Sequence, residues 1–302
     1  MKQYLPKSLI LGSALGWMLC AALPAMAGNK DRIGQAGANE LLINPWSRST
    51  GWGSANTASV TGLESVNLNV AGLAFTNKTE VIFSNTSWLR GSDININAFG
   101  LAQRLSESSV LGLAVMSMNF GDIDVTTTNL PEGGLGTFSP QYLNVGVSYA
   151  REFSNSIYGG ITMKAISEST ADVGAQGIAF DMGIRYVTGE KDQIKFGIGL
   201  RNVGPKMSFS GDGLATSVNI NNNEFTLVQR TDGFELPAVL NIGFSYDYYL
   251  VERIDSTGKG AKADHRITGA GNFTSNSFGK DQIHVGVEYG YKNFFMLRAG
   301  FV

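Results

Sequence analysis

The chain has little of what a soluble enzyme would use. It carries one cysteine and two histidines in 302 residues. A single thiol can form neither an internal disulfide nor a cysteine-based zinc site. Charged residues make up 16%, below the ~25% of ordinary soluble domains. The 23 basic and 25 acidic side chains leave a net charge of −2, which excludes the basic footprint of a nucleic-acid-binding protein. Beyond the first 27 residues no run of 18 or more apolar residues occurs, so that part holds no membrane-spanning helix. What it has in excess is glycine, 38 residues, roughly twice the usual share. With 10% aromatics, the chain is also too apolar for disorder.

The N-terminus has the layout of an export signal. Lys2 and Lys7 give a positive start, Leu9 to Leu23 an apolar stretch, and Ala25-Met26-Ala27 a small-residue cleavage site. Residues 1–27 are therefore expected to be a signal peptide. Cys20 lies within it, and the bulky Leu19 before it argues against a lipidated cysteine. The mature protein is expected to be exported and without thiol chemistry.

Downstream the dominant pattern is alternation with period two. Ile178, Phe180, Met182, Ile184 and Tyr186 oppose Asp181, Gly183 and Arg185; Ile194, Phe196, Ile198 and Leu200 oppose Lys195, Gly197, Gly199 and Arg201. Ile283, Val285, Val287 and Tyr289 oppose His284, Gly286 and Glu288; Phe295, Leu297, Ala299 and Phe301 oppose Arg298 and Gly300. Each segment has about the 9–11 residues that a transmembrane strand needs. One face is apolar and the other holds glycine or charge, as in an outer-membrane barrel with lipid outside and a polar lumen. A secreted sandwich or lipocalin-like barrel, with its apolar face inward, is the competing reading. The reading taken is all-β, a transmembrane outer-membrane β-barrel.

Eleven strands are expected: 79–88, 92–104, 109–119, 140–152, 155–167, 175–187, 191–202, 235–249, 265–274, 281–290 and 293–302. Short turns alternate with the longer connections 120–139, 168–174 and 203–234, which places the latter on the outer side. The polar stretch 252–264 breaks the rule, being a long connection on the short-turn side. Single-chain bacterial barrels have even strand numbers, so the odd count, with a good strand at the very end, reads as a barrel incomplete at its C-terminus. Residues 28–78 are rich in Gly, Ala, Asn and Ser without strong periodicity, with one short helix expected over Thr57–Ser65. Leu41, Leu42, Ile43, Trp46, Trp52, Leu68 and Leu73 make them too apolar for a linker, so they are expected to plug the lumen. The division expected is thus 1–27 signal, 28–78 plug and 79–302 barrel.

Arg48, Gly51, Gly53, Ala55 and Ala58, followed by Asn69-Val70-Ala71-Gly72-Leu73, resemble the N-terminal signature of the PorV/PorQ family, with Val70 standing where that family usually has proline. Leu200 to Met207, Glu235-Leu236-Pro237-Ala238, Ser277-Phe278, Val287 to Gly290 and Leu297 to Gly300 extend the resemblance across about 35–302. It implies a barrel of 14 strands like that of the FadL fatty-acid transporters, with an N-terminal hatch. It further implies an outer-membrane role in type IX secretion: binding the C-terminal signal domains of cargo at an SprA-type translocon and passing them to a PorU-type sortase complex. The alternative is a FadL-like transporter for hydrophobic small molecules.

Enzymatic chemistry has little support in the residues. His284 and Glu288 share a strand face ~13 Å apart, at ~3.3 Å per residue, too far for a base and its orienting partner. No cluster has metal-ligand spacing, and no cofactor is implied. Asn69 and Gly72 are plug candidates. Lumen candidates are Asp181, Arg185, Lys195, Arg201, Glu288 and Arg298, together with Lys164 and Asp247, either paired around the plug or lining a path. Phe120, Phe138, Met207, Phe209 and Phe225 in the long connections are candidates for binding cargo.

Overall fold

The computed structural model describes residues 30–89, 91–220, 223–254, 261–292 and 294–302. The expected signal peptide, Cys20 included, lies outside them. Residues 30–78 form 3₁₀ turns at Lys30–Arg32, Asn39–Leu42, Gly62–Asn67 and Val70–Phe75, and one short helix, α1 (Ser47–Gly51). The strands that follow are β1 (Thr79–Trp88), β2 (Ile94–Arg104), β3 (Ser109–Asn119), β4 (Ile123–Asp124), β5 (Thr137–Phe138), β6 (Gln141–Ser154), β7 (Ile157–Thr170), β8 (Val173–Thr188), β9 (Ile194–Val203), β10 (Phe209–Ser210), β11 (Ala215–Ile220), β12 (Asn223–Val228), β13 (Val239–Ile254), β14 (Ala261–Asn276), β15 (Gln282–Tyr291) and β16 (Phe295–Phe301).

Eleven long strands pair in the order β1-β2-β3-β6-β7-β8-β9-β13-β14-β15-β16, each antiparallel to the next. Up-and-down order follows from short connections, since antiparallel neighbours can be joined by tight turns. β10 adds to the end of β8, while β4–β5 and β11–β12 are separate two-stranded hairpins. Both hairpins lie in connections at one end of the sheet, the long-loop end, which carries 120–140 and 204–238; the other end has the turns at 105–108 and 155–156.

The sheet is inside out relative to a water-soluble barrel. Along β8, Met182 is 50% and Ile184 60% exposed, while Asp181 is 1% and Arg185 2% exposed. The same alternation exposes Val81 and Phe83 on β1, Ile198 on β9, Phe244 on β13 and Val285 and Val287 on β15. A row of large apolar side chains facing outward on every strand suits hydrocarbon, not water. The fold is all-β, with the lipid-facing wall of a transmembrane barrel.

The wall wraps the N-terminal segment. Glu80 on β1 accepts from Leu63 N. Leu63 meets Gly100 on β2, and Leu73 meets Gly112 on β3 and clusters with Ala150 of β6. Val70 approaches Gly160 of β7, Asn69 Gly183 of β8 and Leu68 Gly199 of β9. Ala58 reaches Gly243 of β13; Trp52 and Ala55 pack on Ala270 of β14; and Trp52 meets Gly286 of β15 and Gly300 of β16. Every long strand therefore touches this segment. Glycine permits the approach: a Cβ built on Gly197 or Gly243 would stand 2.9 Å from Ala58 Cα or N, and on Gly286 2.9 Å from Trp52 O. No real side chain tolerates such distances from backbone atoms.

Several boundaries differ from those expected. The helix expected over Thr57–Ser65 does not form: the stretch is a turn running into the 3₁₀ turn Gly62–Asn67, and α1 lies before it, because contact with the wall, not helix propensity, shapes this stretch. The connection expected over 168–174 shrinks to a two-residue turn, with Ala171 at φ 47°. The eighth long strand starts at Val239, not 235. Of the polar stretch 252–264, residues 252–254 belong to β13 and 261–264 to β14, which pair up to Ile254 and Ala261, while 255–260 lie outside the described residues. Its polar composition hid strand residues that stand near the end of the wall.

Gly243→Val is expected to drive Thr57 and Ala58 off the wall, exceeding the ~1–3 kcal/mol typical of an overpacked core. Gly269→Ala, at an outward position with nothing within 4 Å of the added Cβ, should be silent. Limited proteolysis within 46–76 in detergent measures the difference.

Candidate functional site

The candidate site is the lumen with its plug. An irregular segment leaves backbone carbonyls without internal partners, and each must be satisfied. At membrane depth such backbone is tolerated only where protein covers it. Here the wall supplies the donors. Arg104 gives Nη2 to Ala74 O at 2.7 Å and Nε to Thr76 O at 2.8 Å. Arg185 gives Nη1 to Val60 O at 2.8 Å and stacks its guanidinium 4.2 Å above the Phe75 ring. Arg201 gives Nη2 to Leu41 O at 3.0 Å, and His284 gives Nδ1 to Gly53 O at 2.7 Å. In the reverse sense, Asn69 of the plug donates Nδ2 to Ile184 O at 3.0 Å, while its Oδ1 accepts from Ala71 N at 3.2 Å.

The plug has its own polar core. Glu64 accepts from Ser49 N and Ser49 Oγ, both at 3.1 Å, with Arg48 at 3.6 Å. Burial holds the Glu64 carboxyl above its ordinary range. Trp46, fully buried, donates Nε1 to Asn67 Oδ1 at 2.9 Å. Gly72 faces Val60 and Ser65, so it serves packing inside the plug.

Several other wall charges pair across strands. Lys164 meets Asp181 at 2.5 Å, and Asn202 N donates to Asp181 at 2.8 Å. Lys195 pairs with Asp247. Glu288 takes Arg266 at 2.8 Å and Arg298 at 2.6 Å. Asp181, Arg185, Lys195, Arg201, Glu288 and Arg298 all point inward, and of these Arg185 on β8 and Arg201 on β9 reach the plug backbone. Arg104 and Glu80 do comparable work but escape sequence reading. They stand at strand ends among serines and threonines, where alternation is weakest.

The plug divides the lumen into chambers. At the long-loop end a cavity of about 410 Å³ is lined by Ala38, Glu40, Ile43, Met118, Tyr142 and Glu168. A second, of about 290 Å³, lies beside Arg201, Asn241 and His284. A third, of about 150 Å³, lies toward the short turns among Arg48, Arg185, Lys195 and Arg298. Of the long-connection aromatics and Met207, Phe120 packs edge-on against Tyr142 at 4.9 Å, Met207 is buried and Phe209 stacks with Phe234. Phe138 is half-buried in β5, and Phe225 is exposed on β12. The bulk of this set therefore covers the wall's rim, and Phe225 is the one of the five that is freely displayed.

No family model matches the chain, and no curated protein matches it. Among solved structures, the CymD monoaromatic hydrocarbon channel is similar over 82% of this chain and 88% of that one, at 14% identity and a TM-score of 0.45.

Two outcomes follow from the plug's anchors. Arg185→Ala removes a buried charge-assisted bond, worth ~1.5–3 kcal/mol, and should raise the open-channel conductance of the protein in planar bilayers. Glu40 is raised to about 7, first by burial and then by Glu168. An acid raised in the folded state is destabilising once ionised. Stability should therefore fall as pH rises from about 4.5 to about 7 and level off above. Thermal melts across pH should show this slope, and Glu40→Gln should flatten it.

Proposed function

We propose that the protein is an outer-membrane transport barrel that passes small apolar molecules from its long-loop end past a displaceable plug. An outer-membrane location is supported by strands that carry apolar residues outward, by long connections gathered at one end, and by the export signal expected at the start. One observation carries the transport reading: the long-loop chamber adjoins an apolar patch of Ile43, Ile94, Ile96, Met116, Met118 and Tyr142. Methionine adapts to varied apolar shapes, and a concave apolar pocket with a few polar groups is the usual form of a small-molecule site. The plug below closes the route, and its anchors are hydrogen bonds that can be exchanged for others.

A second reading has its own observation. The hairpin β11–β12 displays Phe225, Leu227 and Val228 at the long-loop end, each 48–65% exposed. Exposed apolar residues in a long connection suit a protein partner. On this reading the barrel receives the C-terminal signal domains of type IX cargo and hands them from an SprA-type translocon to a PorU-type sortase complex.

Cells producing the full chain should take up naphthalene, and Met118→Glu should cut the initial rate severalfold at equal barrel abundance; an unchanged rate contradicts transport. Removing 215–228 separates the readings. It should leave uptake intact, whereas on the cargo reading it should abolish surface attachment of cargo.

A further inference from the structure

We propose that the short-turn end of the lumen, beneath the plug, is a binding site for a small oxyanion, a carboxylate or a phosphate. The cavity there is lined by five cations, Arg48, Arg185, Lys195, Arg266 and Arg298, and by two carboxylates, Asp247 and Glu288. Both carboxylates are fully engaged. Asp247 takes Lys195 on Oδ2 and the Thr268 hydroxyl, at 2.6 Å, on Oδ1. Glu288 takes Arg266 on one oxygen and Arg298 on the other. Counting Glu64 behind Arg48 as a third acid, the cations still outnumber the acids by two among the described residues.

The unused donors are specific. Arg185 Nε and Arg266 Nε are buried without a hydrogen-bond partner, as is the Ser59 hydroxyl on the plug side of the same cavity. Arg185 is 2% exposed, so water in bulk does not serve it. Arg298, whose Nε serves Glu288, turns Nη2 on the Met296 sulfur at 2.8 Å, a weak acceptor for a guanidinium. Unsatisfied buried guanidinium donors with surplus positive charge are costly. Guanidinium forks match the geometry of carboxylate and phosphate oxygens. An oxyanion of that size would accept from both sides, bridging Arg48 and Ser59 of the plug to the wall arginines. Anion occupancy would thereby hold the plug in place, whichever molecule the barrel carries.

The test uses the full chain purified in a neutral detergent at low salt and titrated calorimetrically, with inorganic phosphate in one arm and propionate in the other. One saturable site is expected in at least one arm; the tighter arm identifies the chemistry. The double variant Arg48→Gln/Arg298→Gln should weaken that binding at least tenfold, with heat-modifiable gel migration reporting that its barrel is intact. Absence of saturable binding of either anion to the wild-type protein overturns the proposal, and so does equal binding by an intact double variant.

Discussion

The structure depends on the contact between an irregular N-terminal segment and glycines on the inner face of its sheet. A barrel wall in lipid must turn its large apolar residues outward, which leaves the inside to be filled by something other than apolar side chains. In this protein the filling is the N-terminal segment, which meets the wall with side chains such as Leu63 and Leu73 and, at several glycines, with its backbone. Gly183, Gly197, Gly199, Gly243, Gly286 and Gly300 let main-chain atoms of the plug stand where a Cβ would otherwise be. Glycine costs conformational entropy in a strand, and here that cost is offset by a lumen packed closely enough to exclude water from the plug's centre.

The inward charges follow from the same arrangement. A plug with only short helical turns has carbonyls to satisfy, and carbonyls call for donors. The wall accordingly reaches in with Arg104, Arg185, Arg201 and His284, and acids are used mainly to neutralise neighbours, as Asp181 does for Lys164. Breaking a buried pair is costly even where the pair itself adds little stability, so these contacts fix the position of the plug more than they stabilise the wall. On the transport reading proposed above, these are the bonds that moving the plug would have to break.

Much of the wall was legible from alternation alone. Nine-residue runs such as Ile178–Tyr186 show one apolar and one polar face, and the eleven strands inferred from such runs correspond to the eleven long strands of the sheet. The inward set around Arg185 and Arg201 was legible for the same reason. What alternation could not show is which backbone atom each side chain meets, since Val60 and Leu41 lie more than a hundred residues away in sequence. The plug's own conformation was misjudged at Thr57–Ser65, because tertiary contact overrides local propensity there. The acidic pair Glu40 and Glu168 was missed altogether. Neither residue carries a motif, and their proximity arises from how the plug enters the long-loop end.

Everything above depends on residues 46–76 being an integral, tightly packed filling of the barrel. Amide hydrogen exchange of the full chain in lipid nanodiscs addresses it directly. Peptides from 46–76 should exchange as slowly as those from β8 and β9, on the scale of hours. Exchange of that segment to completion within seconds, while the strands stay protected, would contradict it.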